Sequence, residues 1–161
     1  MIRNSFYLIA LLGSLMTLSA CKTDPCKDVN CGVNGSCLDG TCVCEIGYEG
    51  SACQIEWAEK FVGSYLGKDV CGDTATYNLT KPAVVSKQSA TQIRISNFGG
   101  FDSFIDAQVT KTDEISFTNF EDPGKRRFTG TGKISGNRLT GSYTVTFSDG
   151  SKENCTFDYT K

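Results

Sequence analysis

The residues with the most distinctive chemistry in this chain are its nine cysteines, since the 161-residue sequence contains no histidine. Thiols oxidise to disulfides in exported proteins, and thiolates bind zinc. A cysteine can also carry a fatty-acyl group. An odd number of cysteines cannot pair completely within one molecule, so at least one of them needs a different chemistry or a different partner.

The N-terminal segment has the charge and hydropathy pattern of an export signal. Arg3 precedes an apolar run over residues 6–16, which is well short of the roughly 20 residues that a membrane-spanning helix needs. The small residues Ser19 and Ala20 come directly before Cys21. We therefore predict a signal peptide over residues 1–20 rather than a transmembrane anchor.

The sequence Leu18-Ser19-Ala20-Cys21 resembles the lipobox of bacterial lipoproteins. The resemblance implies that Cys21 is diacylated, with chains such as palmitate, and becomes the mature N-terminus. Two acyl chains suffice for stable membrane attachment. Residues 21–25 would then be a short lipidated tether to the outer membrane, with the protein facing the periplasm or the outside. The alternative is an ordinary secretory signal that leaves Cys21 free.

Six cysteines fall within residues 26–53, in the pattern C-x4-C-x5-C-x4-C-x-C-x8-C. A segment this short cannot bury enough apolar surface to fold alone, so it needs covalent crosslinks or a metal. Zinc suits it less well, because the chain has no histidine and exported cysteines meet an oxidising compartment. The spacing alone leaves fifteen possible disulfide pairings.

Residues 26–53 resemble an EGF-like module, whose C-terminal half reads C-x-C-x-x-G-[YF]-x-G-x-x-C. Every position of that motif is matched, by Cys42, Cys44, Gly47, Tyr48, Gly50 and Cys53. The resemblance implies three disulfides, which are Cys26–Cys37, Cys31–Cys42 and Cys44–Cys53. Calcium-binding members carry several oxygen ligands just before the first cysteine, where this chain has only Asp24. We therefore expect neither a metal nor another cofactor.

From residue 61 onward, short runs of alternating apolar and polar residues are separated by turn residues, a pattern typical of antiparallel strands with one wet face. We count about eight strands, which suits a small closed barrel or a sandwich. Cys71 follows the first strand and Cys155 lies in the last. A disulfide between them requires Cα atoms within about 7 Å of each other, which favours a closed barrel.

Residues 61–161 resemble the small calycin-like barrels of exported Bacteroidetes lipoproteins, with lipocalins as distant architectural relatives. The resemblance is carried by FVGSY at residues 61–65, TQIRISNFGGF at 91–101, FTGTGKISGNRLTGSY at 128–143, Cys155 and Tyr159.

The predicted architecture is therefore mainly β. An EGF-like module over residues 26–53 is followed by a short helical linker over residues 54–60. An approximately eight-stranded antiparallel up-and-down, calycin-like β-barrel follows over residues 61–161. Trp57 and Phe61 share a face of the linker, where Trp57 would cover one end of the barrel.

The side chains expected inside the barrel are mostly aromatic, and we place no charged residue among them. They include Tyr77, Phe117, Phe128, Tyr143, Phe147, Phe157 and Tyr159. This many rings predict a filled lumen rather than a ligand cavity. Gly130, Gly132 and Gly141 either leave room in the lumen or relieve crowding where the strands coil strongly.

Composition and motifs argue against catalysis and against nucleic-acid binding. Residues 54–161 carry thirteen basic and thirteen acidic side chains, so no basic face is predicted. No nucleophile motif or phosphate-binding glycine loop occurs. The acidic pairs Asp113-Glu114 and Glu121-Asp122 fall at predicted turns, the second beside residues 125–127, and we expect solvated loops there.

The function expected from these features is that of a membrane-anchored, non-catalytic module that binds a protein or a glycan. One alternative is a carrier of a small apolar ligand in the barrel. Another is an enzyme inhibitor acting through a rim loop at residues 81–90 or 120–127. Asp73-Thr74-Ala75 also matches a short glycosylation acceptor of Bacteroidetes, with Thr74 as the acceptor, although a plain strand start explains the same residues.

Overall fold

The computed structural model describes residues 23–72 and 75–161. The predicted signal peptide, the lipidation candidate Cys21 and the glycosylation candidate Thr74 lie outside these ranges.

The N-terminal module is a small disulfide-linked unit built on two short hairpins. Strands β1 (Gly35–Leu38) and β2 (Thr41–Cys44) pair antiparallel, as do β3 (Tyr48–Glu49) and β4 (Ile55–Glu56). The first turn is Asp39-Gly40, in which both residues have positive φ, as a tight hairpin turn demands. The only buried apolar side chains of described residues 23–53 are Cys31 and Cys53, so disulfides take the place of a core.

A short 3₁₀ helix, η1 (Trp57–Phe61), joins this module to the barrel. The indole Nε1 of Trp57 donates a hydrogen bond to the carbonyl of Tyr48 at 3.1 Å. The backbone N–H of Ala58 donates to the carbonyl of Ala90 in the barrel at 3.1 Å. The predicted helical linker is thus a single helical turn that is bonded on both sides, and Trp57 packs against the barrel core.

The remaining chain forms a closed antiparallel barrel of eight strand positions, which confirms the predicted fold class. With one exception, strands that follow each other in the chain pair with each other, and the last pairs with the first, which is the up-and-down order. The strands are β5 (Gly63–Cys71), β6 (Ala75–Asn78), β7 (Ala83–Ser89), β8 (Gln92–Ser96), β9 (Phe104–Lys111), β10 (Glu114–Glu121), β11 (Arg127–Ser135), β12 (Arg138–Thr146) and β13 (Lys152–Thr160).

Strands β6 and β7 share one strand position, because both pair with the same edge of β5. The prediction of a rim loop over residues 81–90 was therefore wrong. Ala83 and Val85 are buried and face the core, while the rest of β7 is exposed and, apart from Val84, polar. So short an apolar alternation is a weak strand signal. Pro82, which has no N–H to offer a ladder, lies at the break between β6 and β7.

Aromatic side chains fill the lumen, as predicted, but their central ring was not foreseen. Phe98 lies in η2 (Phe98–Gly100), a one-turn 3₁₀ segment between β8 and β9. Its ring centroid is 4.8 Å from that of Tyr143 and 5.4 Å from those of Phe117 and Phe157. The segment closes one end of the barrel.

Two of the expected inward residues lie elsewhere. Tyr77 is 52% exposed, because β6 has no strand paired on its free side and its ring stands at the barrel mouth. Phe147 follows β12 and is half-buried at the same end. The inward placement of Tyr77 was therefore wrong, and that of Phe147 holds only in part.

The glycines of β11 and β12 do not leave space in the lumen. A Cβ atom at Gly141 would lie 2.1 Å from the carbonyl oxygen of Thr131 and 2.6 Å from the ring of Phe157. At Gly130 it would lie 2.4 Å from the carbonyl oxygen of Ser142. Glycine is needed at these positions because strands and rings approach too closely for any side chain.

Cys71 and Cys155 are directly opposite each other on β5 and β13, with Cα atoms 4.0 Å apart, and they form a disulfide. We expect the double variant Cys71→Ser, Cys155→Ser to fold but to lose up to about 4.5 kcal/mol of unfolding free energy, the chain-entropy value for a loop of this length. Urea unfolding of both proteins measures the difference.

An exposed substitution on the same strand, Thr156→Ser, is the matched control and should change the unfolding free energy by less than about 0.5 kcal/mol. A loss below about 1 kcal/mol in the double variant would show that the β5–β13 ladder alone holds the barrel closed.

Candidate functional site

A buried carboxylate lies inside one end of the barrel, where the sequence predicted no charge. Asp69 is 1% exposed. The inward alternation of β5 runs through Tyr65, Gly67, Asp69 and Cys71, so the strand pattern itself directs this side chain to the core. The same period-two pattern is present in the sequence, and it predicts an inward Asp69 when it is extended beyond Tyr65.

Two tyrosines of neighbouring strands donate hydrogen bonds to Asp69. The Oη atom of Tyr143 lies 3.1 Å from Oδ1, and that of Tyr159 lies 3.0 Å from Oδ1 and 2.9 Å from Oδ2. The hydroxyl of Tyr159 in turn accepts the backbone N–H of Gly99 at 3.0 Å. The carboxylate is thus connected to β12, to β13 and to η2.

This environment changes how all three groups ionise. Burial raises the pKa of Asp69 to about 6, although the hydrogen bonds from Tyr159 and Tyr143 lower it in part. Burial, followed by the nearby charge of Asp69, raises the pKa of Tyr143 and of Tyr159 well above the ordinary tyrosine value. Both tyrosines are therefore neutral hydrogen-bond donors at neutral pH, and Asp69 is mostly ionised.

A cavity of about 180 Å³ lies beside Asp69 at the same end of the barrel. We call it the mouth cavity. Four rings and two carboxylates contribute to its wall: Tyr77, Phe101, Tyr143, Phe147, Asp69 and Glu153. Gly99 also lines it, with φ of +63°, and a Cβ at this position would lie 2.8 Å from the Phe101 ring and 2.9 Å from the Tyr143 hydroxyl.

The loop between β10 and β11 supports one wall of this cavity. Asp122 is 2% exposed and accepts hydrogen bonds from the backbone N–H and the Nε of Arg126, both at 2.9 Å. Burial acts to raise the pKa of Asp122, but the bonds from Arg126 outweigh it and lower the pKa. The guanidinium of Arg126 lies 4.5 Å from the centroid of Phe101. The expectation of a solvated loop was therefore wrong for Asp122.

The structure pairs the eight described cysteines. The pairs are Cys26–Cys37, Cys31–Cys42, Cys44–Cys53 and Cys71–Cys155, which are those implied by the EGF resemblance and the barrel-closure argument. Cys71, Glu153 and Cys155 have potential metal-ligand atoms within 4.8 Å of one another. Both sulfurs belong to one disulfide, which leaves a single carboxylate and no basis for a metal site.

A second surface feature lies on the EGF-like module. Four aliphatic side chains along the β1–β2 hairpin and its open end are largely exposed. Their exposed fractions are 94% for Val33, 63% for Leu38, 50% for Val43 and 82% for Ile46. We call these four residues the apolar hairpin strip.

The comparisons with known proteins bear on the N-terminal module. Residues 26–56 match the family of teneurin-like EGF domains, a span that ends with strand β4. The comparison with curated proteins gave no match. Within residues 23–72 and 75–161, no helix has the length and apolar character needed to cross a bilayer.

We expect Asp69→Asn to change how the stability of the barrel depends on pH. The folded-state pKa of about 6 exceeds the ordinary 3.8, so the folded protein holds this proton more tightly than the unfolded chain does. The stability that the protonated group contributes is fully present below about pH 4 and is lost as the pH rises through about 6. Asparagine cannot lose a proton, so the variant should gain on the order of 3 kcal/mol relative to the parent between about pH 4 and pH 7.

Urea unfolding of both proteins at the two pH values measures this gain. Other carboxylates titrate identically in parent and variant, so their effects cancel. Glu153→Gln is the matched control, since its half-buried carboxylate lies at the same end of the barrel. A parent-to-variant difference that stays constant from about pH 4 to pH 7 would mean that Asp69 has an ordinary pKa.

Proposed function

We propose that this chain is a non-catalytic binding module, held at a bacterial outer membrane through lipidated Cys21, that contacts a protein or a glycan through its EGF-like module. An EGF-like domain next to a closed β-barrel supports an interaction role. The support for the anchor and the location is the sequence pattern before Cys21.

The observation that carries the proposal is the exposure of the apolar hairpin strip. Leu38 pairs with Thr41, and Val43 pairs with Ser36, across the β1–β2 ladder. Alternation along each strand places Leu38 and Val43 on the face opposite Cys37 and Cys42, whose disulfides occupy the other face. Val33 and Ile46 lie just outside the two strands and are the most exposed of the four. The strip therefore faces solvent and is not the back of a core.

Burying this strip against a partner would be favourable at about 25 cal/mol per Å² of apolar surface removed from water. The module is too small to bury the strip within itself. Three disulfides already fix the hairpin, so little conformational entropy is lost when a partner binds.

The barrel leaves the hairpin accessible, because its contacts with the module lie elsewhere. The Lys60 ammonium and the Glu49 carboxylate form an ion pair at 2.6 Å, and Gly47 lies against Ala90 and Thr91. These contacts involve the second hairpin of the module.

The two alternative functions have less support from the geometry. An apolar ligand inside the lumen would have to displace the aromatic rings that fill it. Inhibition through a loop at residues 81–90 has no structural support, because that segment is mostly strand β7. The loop over residues 120–127 is short and is held together by the Asp122–Arg126 pair.

We expect the mature protein extracted from membranes to begin at Cys21 and to carry a diacylglyceryl group, since stable anchoring needs two acyl chains. Intact-mass analysis with and without reductant tests this and should find no free thiol. Cys21→Ala is the control variant and should move the protein from the membrane fraction to the soluble fraction. The anchor would be refuted if the mature parent protein had an unlipidated mass and were found in the soluble fraction.

We expect a benzophenone amino acid at position 38 to crosslink the lipidated full-length protein to its partner in intact cells. Benzophenone inserts into C–H bonds of proteins and glycans alike, so protease or glycosidase treatment of the adduct shows which of the two was bound. Replacing Val43 with Thr in the same chain should reduce the yield of adduct, because it removes an apolar contact from the strip.

The matched control carries the benzophenone at Leu66, which is 56% exposed on the barrel and is thus as accessible as Leu38. A specific adduct from position 38 that is absent from position 66 supports the proposal. Equal labelling at both positions, or none at either, would refute a dedicated contact through the hairpin.

A further inference from the structure

The two carboxylates of the mouth cavity differ from almost all others in the barrel. Twelve carboxylates of residues 54–161 are described, and nine of them form ion pairs with lysine or arginine. Asp69, Asp149 and Glu153 are the described carboxylates that do not. Asp149 is an exposed turn residue bonded to Ser151, which leaves Asp69 and Glu153, and both line the cavity.

A buried carboxylate without a cation is costly in free energy, because burial removes water from the charge. The tyrosine hydroxyls on Asp69 supply hydrogen bonds but no positive charge. The cavity therefore has an excess of negative charge at its buried side. A positively charged ligand would offset that excess, whereas an anion would add to it.

The other walls of the cavity are aromatic. Tyr77, Phe101, Tyr143 and Phe147 line it, and no lysine or arginine does so. The faces of aromatic rings attract cations, most strongly where water is excluded. Gly99 keeps the space between Phe101 and Tyr143 open, since a side chain there would collide with both.

The size and donor set of the cavity narrow the class of cation. Hard metal ions prefer six or more convergent oxygens, and the side chains of this wall supply only two carboxylates and two tyrosine hydroxyls. About 180 Å³ corresponds to about six water molecules at about 30 Å³ each, which suits a ligand of about five to eight non-hydrogen atoms.

We propose that the mouth cavity binds a small organic cation, specifically a methylated or quaternary ammonium group. Asp69 and Glu153 supply the opposite charge, and the four rings surround the methyl groups. This site is separate from the apolar hairpin strip, and its ligand is a small molecule or headgroup rather than a protein or a polymeric glycan.

The test is calorimetric titration of the full-length protein, solubilised in an uncharged detergent, with choline and with 3,3-dimethyl-1-butanol. The second compound has the shape of choline with carbon in place of nitrogen, so it differs from choline in charge alone. We expect choline to bind at least about tenfold more tightly than its neutral isostere, as ring and carboxylate contacts to a cation require.

Variants locate the binding in the mouth cavity. Glu153→Gln and Phe147→Ala change partly exposed residues, and each should weaken choline binding by at least about threefold. Asp69→Asn should weaken it by about tenfold or more, with circular dichroism checking that the variant remains folded. Glu45→Gln, an exposed carboxylate of the EGF-like module, is the matched control and should leave binding unchanged.

A third titrant, glycerophosphocholine, distinguishes a free cation from a lipid headgroup. Tighter binding of this compound than of choline identifies a lipid headgroup as the source, and tighter binding of choline identifies a free cation. Equal affinity for choline and its neutral isostere would overturn the proposal. The proposal would also be overturned if choline bound more weakly than about millimolar. The same holds if the Asp69, Phe147 and Glu153 variants bound choline as the parent does.

Discussion

The antiparallel pairing of β5 with β13 is the constraint on which the rest of the barrel depends. Six residue pairs, from Leu66 opposite Thr160 to Cys71 opposite Cys155, join the first strand to the last. Without them the sheet would have two free edges with unpaired backbone groups. The other edge of β5 is divided between β7 at its start and β6 at its end, so residues 68–71 are paired with a strand on both sides. The Cys71–Cys155 disulfide then lowers the entropy of the open chain.

Closure also determines what is buried. Once β5 is paired on both edges, its inward alternation carries Asp69 into the core, and Tyr143 and Tyr159 bring hydroxyl groups to the carboxylate. The Tyr159 hydroxyl also binds the backbone N–H of Gly99, next to Phe98. The buried charge is therefore connected to the ring at the centre of the lumen. A polar network of this kind stabilises a single arrangement only if every group in it has a partner. The charge of Asp69 has hydrogen-bond donors but no cation, so it is the one group of the network that is not fully compensated.

The sequence predicted the covalent and periodic features well and the local exceptions poorly. The EGF-like module was predictable because its fold is determined by disulfides, which a cysteine motif shows directly, and not by a hydrophobic core. The number of strand positions was predictable because alternation is strong in long strands such as β11 and β12. Strand β7 was missed because only Ala83 and Val85 show the alternation of buried and exposed residues that marks a strand. Phe98 was missed because its neighbours Asn97 and Gly99 indicate a turn, and only the tertiary fold places that turn inside a barrel end.

The EGF-like module and the mouth cavity lie at opposite ends of the barrel. The EGF-like module contacts the turn at Ala90, next to the first residues of β5, whereas the mouth cavity is lined by Asp69 and Cys71 at the end of that strand. Nine residues of β5 span about 26 Å at about 3.3 Å per step. The length of the barrel therefore separates the mouth cavity from the EGF-like module.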